Sequence, residues 1–134
     1  MKTILITIAL AMSTTMAATH AQSISYDQPI VLSGRLEMLT GVDIQRGKEV
    51  EVRYPALILD RKISVIPSTT DIGNTPQATG IVQLAISDGS QREFVKKVAG
   101  GRASISCASL YSWHTAHHFA PVLCNVDRVL DVTQ

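Results

Sequence analysis

Residues Ala103 to Val132 read ASISCASLYSWHTAHHFAPVLCNVDRVLDV. The stretch holds both cysteines, the only tryptophan and three of the four histidines. Two β-patterned arms flank a polar, histidine-bearing middle, with one cysteine in each arm, and consecutive strands joined this way form an antiparallel hairpin. With Thr115-Ala116 at the tip of a tight turn, residues whose numbers sum to 231 face one another, and Cys107 and Cys124 meet that condition. The spacing fits a disulfide between directly opposed positions, best closed at a non-hydrogen-bonded pair where the backbones approach most closely. The same register pairs His114 with His117 on one face and Trp113 with His118 on the other, because strand side chains alternate.

Moving outward, the run before this hairpin changes period. Ser90 with Glu93 three residues on has the capping-box spacing, Phe94, Val95 and Val98 share a helical face, and Gly100-Gly101 supplies a stop. A helix of two to three turns is expected, with Lys96 and Lys97 in its last turn, where the macrodipole favours cations. Gly80 to Ile86 is β-branched and short, a strand. Pro67 to Thr79 is turn chemistry throughout and reads as a surface loop. Tyr54 to Ile66 reads as one long strand bent near Asp60-Arg61. Thr40 to Arg53 is polar, with Val50 and Val52 as a weak strand start. Ile30, Leu32, Leu36 and Met38 alternate with polar residues, and Gly34 inside that strand marks a bulge or bend of the kind that turns a barrel corner. The order strand, strand, strand, short helix, strand, strand is that of an OB-like fold: a small five-stranded Greek-key barrel with one helix between strands 3 and 4.

The chain has 134 residues, room for one domain. Lys2 precedes a nine-residue apolar run, Ile4 to Met12, and small residues lead to Thr19-His20-Ala21. This is the layout of a secretory signal peptide, with cleavage expected after Ala21, so residues 22–134 form the single domain. The apolar run is about half the ~18 residues that span a bilayer, which predicts no stable membrane anchor. Removing the leader takes away Lys2, one of twelve basic residues, and leaves eleven basic and eleven acidic side chains. A neutral domain without a Lys/Arg run lacks the phosphate-neutralising surface of a nucleic-acid binder. Two cysteines in an exported chain read as one disulfide, Cys107–Cys124, in the periplasm or outside the cell.

No G-x-S-x-G elbow is present and the thiols are expected to be oxidised, so the sequence predicts no enzyme. The expected function is a binding module. Tyr111, Trp113, His114, His117, His118 and Phe119 at the tip would contact a protein, as an inhibitor or immunity protein does, or an envelope glycan. The alternative is a metal-binding protein holding zinc or copper through His114, His117 and His118, because imidazole suits those ions.

The segments PIVLSGRL (29–36), YPALILDRKISV (54–65), VQLAI (82–86) and GGRASISCASLYSWHTAHHFAPVL (100–123) resemble the bacterial DUF4431 family. Members of that family look like small exported proteins with an H-T-G-H-H-H segment followed by a P-V-L-L strand. His114, Thr115, His117 and His118 match the histidine segment, and Pro121, Val122 and Leu123 the strand. Ala116 stands where the family tends to have Gly, Phe119 where it tends to have a third consecutive His, and Ser64 where many members have Cys. The resemblance implies export and a compact β-rich domain; it implies no activity.

Overall fold

A computed structural model describes residues 22–67, 75–112 and 117–134. The expected leader, residues 1–21, lies outside the described residues. In chain order the elements are strands β1 (Gln22–Ser25), β2 (Ile30–Gln45), β3 (Lys48–Ile66) and β4 (Gln77–Ala85), helix α1 (Gly89–Val98), and strands β5 (Arg102–Ser112) and β6 (Val122–Thr133). β2 pairs antiparallel with β3 and β5, β3 with β4, and β5 with β6, while β4 runs parallel to β6. Strands β2 to β6 therefore close into a mixed five-stranded barrel, the OB-like arrangement expected from the element order. The short β1 lies parallel to the end of β3, from Gln22 opposite Ile63 to Ser25 opposite Ile66. This added strand shifts the count: the helix follows the third barrel strand but the fourth strand of the chain, between β4 and β5.

Alternation builds the core. Leu32 and Leu36 of β2, Leu57 and Val65 of β3, Val82 of β4 and Ile105 of β5 point inward and are buried. Each such side chain stabilises the fold by about 1.5–3 kcal/mol relative to exposure. Gly34 sits among them, paired with Leu59 on one side and Ala103 on the other. A Cβ there would stand 2.1 Å from the Ile58 carbonyl oxygen, so the expected barrel corner is a place where two backbones touch. The expected bend of the long third strand appears as a register shift against β4 between Ile58 and Ile63.

The polar stretch Thr40–Arg53 departs from expectation. It is a continuous hairpin: the β2–β3 ladder runs unbroken from Gly34↔Leu59 to Gln45↔Lys48. Its turn is Arg46-Gly47, with φ of 52° and 75°. Positive φ at both central residues is the requirement of a tight hairpin turn that matches strand twist. Arg-Gly satisfies it less obviously than Asn-Gly, and the arms carry little apolar alternation, so the sequence shows only a weak strand start at Val50 and Val52.

Helix α1 begins two residues earlier than the capping box implies. The N-cap is Asp88, whose side chain accepts from the Gln91 amide at 2.9 Å, and Ser90 lies inside the first turn. The Ser90 hydroxyl first, then the Gln91 amide, hold the Asp88 carboxyl below its usual pKa. Val95 and Val98 pack into the core, whereas Phe94, expected beside them, is exposed. Gly100, at φ 96°, ends the helix as expected.

The disulfide Cys107–Cys124 is present, with Cα atoms 5.4 Å apart and both residues fully buried. Its cysteines are not directly opposed: Cys107 faces Val126 and Cys124 faces Leu110. Register shifts on either side of Cys107 displace the strands, and such bulges let two offset residues approach across the ladder. The hairpin tip is also wider than a tight turn. β5 ends at Ser112 and β6 starts at Val122, leaving a nine-residue connection. His117 and His118 therefore lie in a loop, and strand alternation does not set their directions.

Candidate functional site

β2 pairs with β5 only from Ile30 to Arg35, and β3 meets β4 only from Ala56 onward. Between Leu39 and Tyr54 the two strands pair with each other alone, as a ribbon that extends beyond the barrel wall. Directly paired residues share a face. One face carries Leu39 with Tyr54, Gly41 with Val52 and Asp43 with Val50; the other carries Thr40 with Arg53, Val42 with Glu51 and Ile44 with Glu49.

The β5–β6 loop lies on the first of these faces. Phe119 stacks on Tyr54 with ring centroids 5.0 Å apart and planes at 28°. Its ring also covers Gly41, where an added Cβ would come within 2.6 Å of Cδ1. Glycine here leaves the hollow that the ring fills. Burial raises the Tyr54 phenol above its usual pKa. Offset aromatic pairs of this kind contribute about 0.5–1.5 kcal/mol beyond the area they bury.

Gln83 of β4 holds the loop backbone. Its side chain is buried, Nε2 donates to the His117 carbonyl at 2.9 Å, and Oε1 accepts from the Phe119 amide at 2.7 Å and the Ala120 amide at 3.3 Å. One amide side chain thereby replaces the ladder partner that an irregular segment lacks. Removing it, Gln83→Ala, is expected to cost about 1–3 kcal/mol by leaving buried backbone groups unpaired. Hydrogen exchange should accelerate at Phe119 and Ala120 by about tenfold or more while Leu57 in the barrel wall is unchanged. Unaltered exchange at both loop amides would refute this clamp.

Beside the clamp, Nδ1 of His117 lies 3.6 Å from Oδ2 of Asp43. The imidazole is 78% exposed and the carboxylate 6%. Gln45 Nε2 donates to the same Oδ2 at 3.1 Å. The expected contact residues thus separate by role. Tyr111, 39% exposed, stands near the end of β5 at the loop's entry, and His117 faces solvent. His118 is half-buried, and Phe119 is an anchor turned inward rather than a tip offered outward. Trp113 and His114 lie outside the described residues. The expected trio His114, His117 and His118 cannot be placed as a set; among the described residues no group of three His, Cys, Asp or Glu side chains converges as a metal site.

Gln83, Asp43, Gly41 and Tyr54 were not singled out by their residue types. Gln83 had one signal: Val82, Gln83 and Leu84 are buried in succession, and a polar residue covered on both sides of a strand needs partners. Asp43 had none, since it stands in a polar stretch among other charges.

Fold and site define a small disulfide-stapled β-barrel whose projecting ribbon carries the β5–β6 loop on one face and two exposed aliphatic side chains on the other. The family model described as "Domain of unknown function (DUF4431)" matches residues 81–130, the segment from within β4 through most of β6. The match covers the clamp residue Gln83, both cysteines and the whole loop, and leaves the ribbon outside it. No curated protein and no solved structure matches the chain.

Proposed function

We propose that the protein is an exported binding module that engages a partner through the outer face of the ribbon, which the β5–β6 loop braces from the other face. The observation that carries this reading is the outer face of the ribbon, where Val42 and Ile44 are each 58% exposed. Isolated exposed apolar residues are ordinary, but two on one face of a strand pair that no other strand covers make a local apolar patch. Glu49 and Glu51 stand opposite them, and Arg53 lies along the same face. Apolar anchors bordered by charge are the composition of a protein-recognition surface. In OB-like folds the loop between the first two barrel strands and the loop between the last two frame the ligand face, and here these are the ribbon and the β5–β6 loop.

A protein partner, met as an inhibitor or immunity protein meets its target, fits the aliphatic ribbon best. An envelope glycan is the second reading and draws on the exposed ring of Tyr111. Export is part of the proposal, and the buried disulfide is in keeping with an oxidising compartment. The leader at residues 1–21 would direct it there, with cleavage after Ala21 and periplasmic or extracellular residence.

The test is affinity capture from an envelope extract with the wild-type chain and with a Val42→Asp/Ile44→Asp variant. A specific protein retained by the wild type and lost from the variant is the expected result. Retention of the same protein by both would remove the ribbon from the interface, and recovery of wall polysaccharide alone would favour the glycan.

A further inference from the structure

The two free edges of the ribbon differ. Leu36 turns its backbone toward β5, donating to the Gly101 carbonyl at 2.9 Å and accepting from the Gly100 amide at 2.7 Å. Along a strand these groups alternate sides, and the β2–β3 register has no break. Thr40, Val42 and Ile44 therefore present their N–H and C=O groups on that same side, past the last β5 pair at Arg35. On the β3 side the outward residues are Glu49, Glu51, Arg53 and Pro55, which stand opposite Ile44, Val42, Thr40 and Met38. Charges and a proline, which has no N–H to offer, are the usual protections of a strand edge. The β2 edge has none. Thr40, Val42 and Ile44 are uncharged, β-branched and exposed, and among the described residues no strand pairs with them on that side.

The open edge is short and bounded. At one end the Met38 carbonyl accepts from Nη2 of Arg53 at 3.3 Å, and at the other the chain turns at Arg46-Gly47. Val42 is the midpoint between Met38 and Arg46. We propose that this edge pairs with the same edge of a second copy, antiparallel about a twofold axis at Val42, so that two ribbons join into one sheet. Val42 then faces Val42, and Thr40 faces Ile44 in both directions. Each of these pairs exchanges both backbone hydrogen bonds and aligns β-branched side chains, which pack well across strands. On the other face Gly41 stands opposite Asp43, so no like charges are opposed. A slip of two residues one way would set Asp43 directly against Asp43, and the other way would use the Met38 carbonyl that Arg53 already holds. A segment that complements itself in this one register fits a second copy, the arrangement of an isologous dimer.

Because the ribbon extends past the barrel wall, the turn of one copy comes to rest beside Met38 of the other, short of the Leu36–Gly101 bond. The pairing uses backbone at the edge and leaves the outer face open, so it stands whether or not an envelope partner binds there. Its consequence is a wider surface: the exposed Val42 and Ile44 of both copies fall in one row.

Sedimentation equilibrium of the purified chain, with nothing else present, tests it at protein concentrations up to about 1 mM. The expected result is a monomer–dimer equilibrium with a Kd of roughly 100 μM or tighter, in the range of a small interface. Val42→Lys, which sets two lysines against each other at the axis, should weaken it about tenfold or more, and Phe94→Ser, which removes an exposed ring on α1, should leave it unchanged. Val42 is 58% exposed, so the lysine leaves the core intact. Hydrogen exchange reports the backbone pairing itself. The amides of Thr40, Val42 and Ile44 should slow as concentration rises, while those of Gly41 and Asp43, held by β3, are slow throughout. A chain that stays monomeric at about 1 mM overturns the proposal, as does a dimer that Val42→Lys leaves unchanged or one in which the three edge amides stay fast. Slowing of those amides only when an envelope extract is added would also overturn it and give the edge to a strand of another protein.

Discussion

Replacing both cysteines, Cys107→Ala with Cys124→Ala, is expected to lower stability by about 3 kcal/mol, and the melting temperature by roughly 10–20 °C. The bridge closes a chain segment with a sequence separation of 17, and in the chain-entropy account the loss comes from the unfolded chain regaining that freedom. The folded state adds to the effect. The ladder between β5 and β6 is interrupted on both sides of Cys107, so the bridge joins the strands where the backbone pairing is weakest. Both side chains are fully buried in the core cluster, and the alanines would leave small voids there. Thermal unfolding of the oxidised wild type beside the double variant measures it. A difference below about 1 kcal/mol would mean that the strand pairing alone fixes this corner.

The second large effect is expected at Gly34. A Cβ at this position meets the carbonyl oxygen of Ile58 at 2.1 Å and the Leu59 Cα at 3.0 Å, and both atoms are backbone. No side chain can turn aside to relieve the contact; β3 itself must move, and with it the ladders to β2 and β4. Gly34→Val should therefore cost about 3 kcal/mol or more, with Gly34→Ala following in the same direction. Gly89 supplies the contrast, because a Cβ there meets nothing within 4 Å. Gly89→Ala, at the first helical position, should stay within about 0.5 kcal/mol of the wild type. Chemical unfolding of the variants side by side reads both values, and a mild Gly34→Val would show that the corner is not a backbone contact.

The barrel was legible in the sequence because its strands are covered on one face. Ile30 to Met38 and the element order around α1 carry periodicity, and Gly34 carries the corner. The ribbon was not legible, because residues Leu39 to Tyr54 leave the barrel wall. With Val42 and Ile44 exposed and Asp43 buried, the usual relation of apolar side chains to the interior is inverted. Its turn relies on a positive φ at Arg46, which composition does not announce. The cysteine pairing was legible but its register was not, since bulges depend on packing around the whole barrel. The histidine segment lies in the loop that Phe119 anchors. It did not reveal that Phe119 anchors that loop, because the hollow it fills is made by Gly41, far away in sequence, and the clamp by Gln83.

Quantitative capture of the same envelope partner by three chains shows whether the partner binds a ribbon face that the loop braces from behind. Val42→Asp/Ile44→Asp, which alters the outer face of the ribbon, and Gln83→Ala, which releases the loop, are each expected to reduce capture about tenfold or more relative to the wild type. Wild-type capture by either variant would contradict it.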